Sequence, residues 1–202
     1  MHKIDKLIWE KFRVKRHDTL PYRGWANFTR ISLAELFNDA GYKTGAEIGV
    51  AKGIYSEILC QKIKDLKLYS IDPWEAYNYN SQKLCDDRYL EAKNRLDPYN
   101  VELIKKTSMS ASFDFENDSL DFIYLDGCHN FDYIMNDLIM WVPKVKVGGI
   151  VAGHDYYDFY QAGVIDAVKA YTSNHNIFQW YVTREKEPSF FWVKKEQVTF
   201  RC

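Results

Sequence analysis

No excess of charge of either sign marks this chain: 27 basic residues face 28 acidic ones, for a formal charge of −1. The basic surplus that accompanies broad contact with phosphate backbones is missing, which argues against nucleic acid as a partner. No apolar run approaches the roughly 20 residues that cross a bilayer, and Met1 to Arg16 alternate charge with hydrophobe instead of forming a signal-peptide core. A soluble, cytoplasmic protein without a membrane partner is expected. Glycine and proline are sparse, at ten and five of 202 residues, so the composition is neither disordered nor fibrous. Cysteine is sparser still. Cys60, Cys85, Cys128 and Cys202 stand far apart, without the paired short spacing of zinc ribbons or thioredoxin motifs, and read as reduced, structural thiols.

What is plentiful is apolar and aromatic: 47% hydrophobic residues and 16% Phe, Trp and Tyr. The length suits one good core, so a single domain over 1–202 is expected. The aromatic surplus serves a core, a pocket for a flat ligand, or the interface of a homo-oligomer. Residues 1–40 carry hydrophobes at helical intervals (Ile4, Leu7, Ile8, Trp9; Leu33, Leu36, Phe37), separated by the turn-rich stretch Asp18 to Gly24. Two helices capping a core at 41–202 are predicted. From Gly41 the pattern becomes short β-prone runs alternating with amphipathic stretches, the form of repeated βαβ units. Strands are predicted at Ala46 to Val50, Leu68 to Asp72, Val101 to Lys105, Leu120 to Asp126 and Gly149 to Gly153. Helices are predicted near Tyr55 to Asp65, Ser81 to Leu96, Ser108 to Phe113, Phe131 to Trp141 and Ile165 to Thr172. Two last β-rich runs, Ile177 to Thr183 and Ser189 to Lys195, are joined by only Arg184 to Pro188. So short a link forbids a parallel crossover and forces an antiparallel hairpin. The fold class is therefore α/β, Rossmann-like and doubly wound, with a mostly parallel seven-stranded sheet ending in an antiparallel hairpin.

Two stretches carry chemistry at the first crossover. Glu47-Ile48-Gly49-Val50-Ala51-Lys52-Gly53-Ile54-Tyr55-Ser56 runs from a strand through glycines into a helix, where a ligand can approach the main chain and meet free amides. Its E-x-G-x-x-x-G spacing is neither the dinucleotide fingerprint nor a P-loop. Ser70-Ile71-Asp72-Pro73-Trp74 then ends the next strand in a carboxylate, 19 residues after Gly53, where an open α/β sheet presents an acid to ribose hydroxyls. Pro73 forces the chain out of the sheet, and Trp74 serves either as a flat wall beside an adenine or as core.

These pieces, with Ser119-Leu120-Asp121-Phe122-Ile123-Tyr124-Leu125-Asp126-Gly127-Cys128-His129 and Gly148-Gly149-Ile150-Val151-Ala152-Gly153-His154-Asp155-Tyr156, follow in order over about residues 45 to 156. Together they resemble the class I S-adenosylmethionine-dependent methyltransferases, and more closely their small-molecule O-methyltransferase-like branch. The resemblance implies S-adenosylmethionine as cofactor, with Glu47, Gly49, Gly53 and Ser56 at its methionine end. It also implies Asp72 at the ribose, Ser108 near the adenine and a small-molecule hydroxyl as acceptor; Trp74 and Asp126 are further candidates for cofactor binding, Asp126 with His129 working at the acceptor side. In metal-dependent relatives the residues matching Asp126 and Asp155 bind Mg2+. Here His154 precedes Asp155, and Tyr156 stands where an amide ligand would follow. Two neighbouring strands thus release two aspartates and two histidines at one rim, suited to a divalent cation on Asp126, Asp155 and His154, or to proton removal by His129 with Asp126. Asp132 reads as complementing a helix dipole, and Asp137 as a solvated or ion-paired face residue. Tyr156, Tyr157, Phe159 and Tyr160 line a pocket, a lid or the core. Lys11, Arg13, Lys15 and Arg16 form a basic cluster that reads as solvated. Two other readings stay open: a nicotinamide-dependent oxidoreductase, disfavoured by the glycine spacing and the hairpin, and a non-catalytic module that keeps only the cofactor pocket.

Overall fold

A computed structural model describes residues 3–12, 20–24, 27–77, 80–160 and 162–196. Two helices, α1 (Lys3–Phe12) and α2 (Arg30–Asp39), flank a two-residue strand β1 (Tyr22–Arg23). The alternating part follows: β2 (Thr44–Ile48), α3 (Ile54–Lys62), β3 (Lys67–Ile71), α4 (Gln82–Leu96), β4 (Val101–Ile104), α5 (Ser108–Ser112), β5 (Leu120–Leu125), α6 (Phe131–Trp141), β6 (Val145–Gly153) and α7 (Val164–Asn174). The hairpin β7 (Trp180–Val182) and β8 (Phe190–Val193) ends the sheet, whose order is β1-β7-β8-β6-β5-β2-β3-β4. Every pairing is parallel except those of β8 with β6 and with β7. The sheet has eight strands rather than seven. The extra one, β1, lies in the stretch read as turn, where two residues between Pro21 and Gly24 carry no alternation to betray a strand; it docks beside β7 with Tyr22 against Tyr181.

The central strands are apolar on both faces because helices cover both. Phe122 and Tyr124 of β5 face one layer with Leu33 and Phe37 of α2 and Leu59 of α3, while Ile123 and Leu125 face the other with Leu138 of α6 and Val168 of α7. Leaving β2, the chain winds outward through β3 and β4, then returns to place β5 on the other side of β2. The order therefore reverses between β2 and β5, and an open α/β sheet offers its ligand crevice at the carboxyl ends of such a pair. Cys60, Cys85 and Cys128 are all free thiols. Cys202, Arg13, Lys15 and Arg16 lie outside the described residues. No described helix is long and apolar enough to cross a membrane.

Candidate active site

Where β2 ends, the main chain passes hard against the end of β5: Asp126 donates its N–H to the Ile48 carbonyl oxygen at 2.7 Å. Gly49 lies at φ +91°, and a Cβ there would run into the Asp126 carbonyl oxygen and fall 2.6 Å from Gly127 N. Only glycine fits on both counts. Gly53, at φ +75°, ends the loop as the N-cap of α3. Asp72 buckles this loop. Its Oδ2 accepts from Val50 N at 3.0 Å and Ala51 N at 2.9 Å, and its Oδ1 accepts from Trp74 N at 2.8 Å. The amides of Val50 and Ala51 are therefore committed to Asp72 instead of standing free for a ligand. A carboxylate has about four acceptor positions; with three filled, Asp72 retains room for one hydroxyl rather than for both of a diol. Trp74 is 2% exposed, donates its indole N–H to the Ala51 carbonyl oxygen at 2.9 Å and packs against Tyr89. Its ring braces the loop from behind and offers no open wall to an adenine.

Across the crevice, β5 and β6 deliver four ionisable side chains. His154 Nδ1 lies 3.1 Å from Asp155 Oδ1 and 3.6 Å from Asp126 Oδ1. His129 Nε2 lies 2.8 Å from Asp155 Oδ2 and 4.0 Å from Asp126 Oδ1. That nitrogen is buried and its N–H is off the line to either oxygen, so its contact with Asp155 is ionic rather than a hydrogen bond. His154 and Asp155 are buried behind, whereas Asp126 and His129 keep 21% and 36% of their side chains exposed toward solvent. Three residues other than glycine take left-handed conformations at these strand ends: Ala51, Trp74 and Asp155. Strain of this kind persists where the surroundings over-determine the backbone, as at sites built for ligands.

A methyltransferase-domain family model matches residues 46–156, from the middle of β2 through this cluster. The chain belongs to the class I S-adenosylmethionine-dependent methyltransferases. Comparison with curated protein sequences returned no match. Among solved structures, the O-methyltransferase from Bacillus cereus in complex with SAH superposes with a TM-score of 0.60 at 13% identity, over 95% of this chain and 90% of that one. N-methyltransferase NodS from Bradyrhizobium japonicum WM9 gives 0.58 at 14% identity, over 83% and 95%. A candidate rRNA-methylase from Clostridium thermocellum gives 0.64 at 10% identity, over 86% and 99%. Fold similarity thus extends over proteins named for different acceptors, and the acceptor must be argued from the site.

The remaining residues of the methyltransferase site divide by environment. Glu47, 2% exposed, accepts a hydrogen bond from Ser56, whose hydroxyl also meets Ser70 at 2.8 Å. Ser56 is fully buried and supports Glu47 instead of facing the crevice. Burial pushes the Glu47 carboxyl up to about 8, against the Ser56 hydrogen bond and helped by the charge of Asp126. Folding then retains a proton that an unfolded carboxyl, with its ordinary value of 4.5, would release. This contribution to stability is complete below the lower value and is lost as pH rises through the upper one, by at most about 1.4 kcal/mol per pH unit. Thermal unfolding followed from about pH 5 to pH 9 is expected to show Glu47→Gln gaining on the wild type as pH rises to about 8 and no further above it; parallel curves throughout would refute it.

Ser108 opens α5, donating to Asp137 and accepting from Trp141 Nε1 at 2.9 Å. Asp137 is accordingly a correction to the sequence reading. It is 5% exposed, beneath the Asp126–His129 loop instead of on a solvated face, and burial lifts its carboxyl to about 6 against the Ser108 hydrogen bond. Asp132 is exposed in the first turn of α6, as expected. The aromatic run after β6 splits: Tyr156 joins the core against Trp180, Tyr157 stacks on Phe159, Phe159 sits edge-on to His129 with centroids 5.4 Å apart, and Tyr160 is fully exposed. Sequence reasoning passed over Arg30 and Tyr55. Tyr55 donates to the Arg30 carbonyl oxygen at 3.0 Å and packs on Tyr124 with centroids 4.3 Å apart. Tyr55 stands in the glycine-loop stretch without a role assigned to it there, Arg30 lies in no motif, and the docking of α2 is what brings Arg30 over the Tyr55 ring.

The electrostatics at the rim favour protonated imidazoles. The carboxylates of Asp126 and Asp155 hold the His129 proton up to about 10, outweighing burial. For His154, burial opposes protonation, yet Asp155 and Asp126 still raise it; Asp155 is held well below the usual carboxylate range, its two histidine partners overcoming its burial. Asp126 is shifted the other way, raised by burial against the pull of His129 and His154. In this ion cluster His129 is a proton holder rather than a free base. The same set also suits a divalent cation, since Asp126, His154 and Asp155 each place one donor atom within 4.8 Å of the others. Two carboxylates match the oxygen preference of Mg2+, and the imidazole extends the match to Mn2+ and Fe2+.

Proposed function

We propose that this methyltransferase moves the methyl group of S-adenosylmethionine to a hydroxyl oxygen of a small molecule. The observation that carries this reading is the four-residue ionic cluster of Asp126, His129, His154 and Asp155, set across the β2/β5 crevice from the glycine loop. An amine can attack an electrophilic methyl group with its lone pair before it sheds a proton, whereas an alcohol or phenol must lose its proton during transfer. A site that handles protons beside the acceptor fits the second demand.

When bound, S-adenosylmethionine supplies a methyl group already made electrophilic by its sulfonium, so the chain has to align and deprotonate. Glu47 and the Gly49–Gly53 loop receive the methionyl end, Asp72 accepts one ribose hydroxyl, and Ser108 borders the adenine. Asp126, the partly exposed carboxylate of the cluster, accepts the acceptor's proton, and His129 and His154 compensate its charge. A divalent cation would be held by Asp126, His154 and Asp155 and would supply Lewis-acid stabilisation to the acceptor oxygen. Phe159 and Tyr157 cover the acceptor side.

The test is incubation with S-adenosylmethionine and a panel of phenols, sugars and amines, read by mass spectrometry for a methyl gain, with and without EDTA. Transfer to hydroxyl compounds is the expected result. Transfer confined to amines would overturn the acceptor assignment, and failure to bind S-adenosylhomocysteine would overturn the cofactor assignment.

A further inference from the structure

We propose that Phe159 sets the acceptor class, its ring serving as the stacking platform for a planar, unsaturated alcohol: a hydroxyl carried on an aryl ring. The inference rests on the acceptor side proposed above and names the kind of hydroxyl compound that side takes. Phe159 stands edge-on to His129, with ring centroids 5.4 Å apart and planes at 70°. Behind it Tyr157 stacks at 4.5 Å and 23°, and Tyr157 is itself held by its N–H on the Asp155 carbonyl oxygen at 2.8 Å. The chain on either side is clamped to the same rim. Tyr156 donates its N–H to the Pro188 carbonyl oxygen at 2.8 Å, and Gly163 donates to the His129 carbonyl oxygen at 2.8 Å. Gly163 passes so close to the start of α6 that a Cβ there would fall 2.5 Å from Phe131 N. The segment that carries Phe159 is therefore fastened to the very residue its ring faces.

This ring pair does not serve the core. Tyr156, one residue earlier, is buried against Trp180 and belongs to a core cluster, whereas Tyr157 and Phe159 are half-buried and join none of the hydrophobic clusters. Two more aromatics on the same two chain segments, Phe131 and Tyr160, are exposed. Apolar rings gathered beside an ionic cluster, fixed in place yet left wet, stabilise little until a ligand covers them.

The polar groups available at the rim narrow the ligand further. Asp126 and His129 keep part of their side chains in solvent, while His154 and Asp155 are buried behind them. Two accessible polar side chains suit a flat apolar plate that carries one or two hydroxyls. A pyranose carries hydroxyls along most of its edge, and each would need a partner once water is displaced. An aryl ring stacks on Phe159 through its own π face, a contact that a puckered saturated ring cannot make.

Calorimetry tests the assignment with 2-naphthol, its saturated counterpart decahydro-2-naphthol, and methyl glucoside. Each is titrated into wild type, Phe159→Leu and Phe159→Tyr, with and without S-adenosylhomocysteine. Wild type is expected to bind 2-naphthol about tenfold or more tightly than decahydro-2-naphthol, and to bind methyl glucoside most weakly. Phe159→Leu keeps an apolar side chain without a π face, and is expected to lose about 3- to 10-fold for 2-naphthol and nothing for decahydro-2-naphthol. Phe159→Tyr retains the wild-type preference. The greater acidity of an aryl hydroxyl is common to all three proteins, so the loss in Phe159→Leu reports the ring alone. Equal melting temperatures show that the variants are folded. The proposal is overturned if wild type fails to bind 2-naphthol or binds the two alcohols equally, if the preference survives in Phe159→Leu, or if methyl glucoside binds more tightly than 2-naphthol. A wild type that shows the Phe159-dependent preference but does not bind S-adenosylhomocysteine would overturn the cofactor reading and leave this one standing.

Discussion

Gly49→Ala is expected to unfold or severely destabilise the protein and to abolish S-adenosylhomocysteine binding. Two separate effects act at one atom. The left-handed backbone at φ +91° penalises any Cβ by about 1–2 kcal/mol. The new methyl group would also be driven into the Asp126 carbonyl and to 2.6 Å from Gly127 N, atoms of main chain that cannot rotate away. Overpacking of this kind adds about 1–3 kcal/mol. Relief requires the ends of β2 and β5 to separate, which breaks the hydrogen bond from Asp126 N to the Ile48 carbonyl and opens the floor of the crevice. A loss of about 2–5 kcal/mol corresponds to a drop in Tm on the order of 10 °C for a chain of this size. Gly127→Ala is the matched control, because a Cβ there meets nothing closer than 3.8 Å. Equal melting temperatures for wild type and Gly49→Ala by scanning calorimetry would show that the strand ends yield more easily than their packing implies.

The contrast between these two glycines shows what a sequence can and cannot reveal. Gly49 announced itself because a β-prone run, a glycine and a helical pattern succeed one another, and local order of that kind survives folding. The alternation of strands and helices, and the hairpin forced by a five-residue link, were legible for the same reason. Asp126, His129, His154 and Asp155 could be brought to one rim from sequence because parallel strands must end on the same side of their sheet. Their roles inside the rim could not, since those depend on which imidazole nitrogen meets which carboxylate oxygen. Asp137 was misjudged because α6 turns it inward beneath a loop contributed by another strand; of the two readings open for Trp74 the core one holds, and Asp72 spends three of its acceptor positions on the loop, which leaves one for a ligand. Arg30 went unnoticed since it lies in no motif and comes over the Tyr55 ring only through the docking of α2.

Asp126→Asn is expected to slow methyl transfer by about 10²- to 10⁴-fold, the range over which a positioned general base contributes, while S-adenosylhomocysteine affinity holds. Asparagine keeps the shape of the side chain and its contact distance to His129 and His154, but it cannot take a proton. His129→Gln should act differently. It removes a cation that lies 2.8 Å from Asp155 and 4.0 Å from Asp126, leaving two carboxylates with only His154 between them. Mutual repulsion then favours keeping a proton on one of them, so the base is impaired at neutral pH and recovers as pH rises. The Asp126→Asn defect has no such recovery, because no ionisable group remains at that position. Rate measurements at saturating cofactor between about pH 6 and pH 9 distinguish the two. If Asp126→Asn recovers on raising the pH as His129→Gln does, the proton is taken by another group, and the partly exposed carboxylate only orients the acceptor.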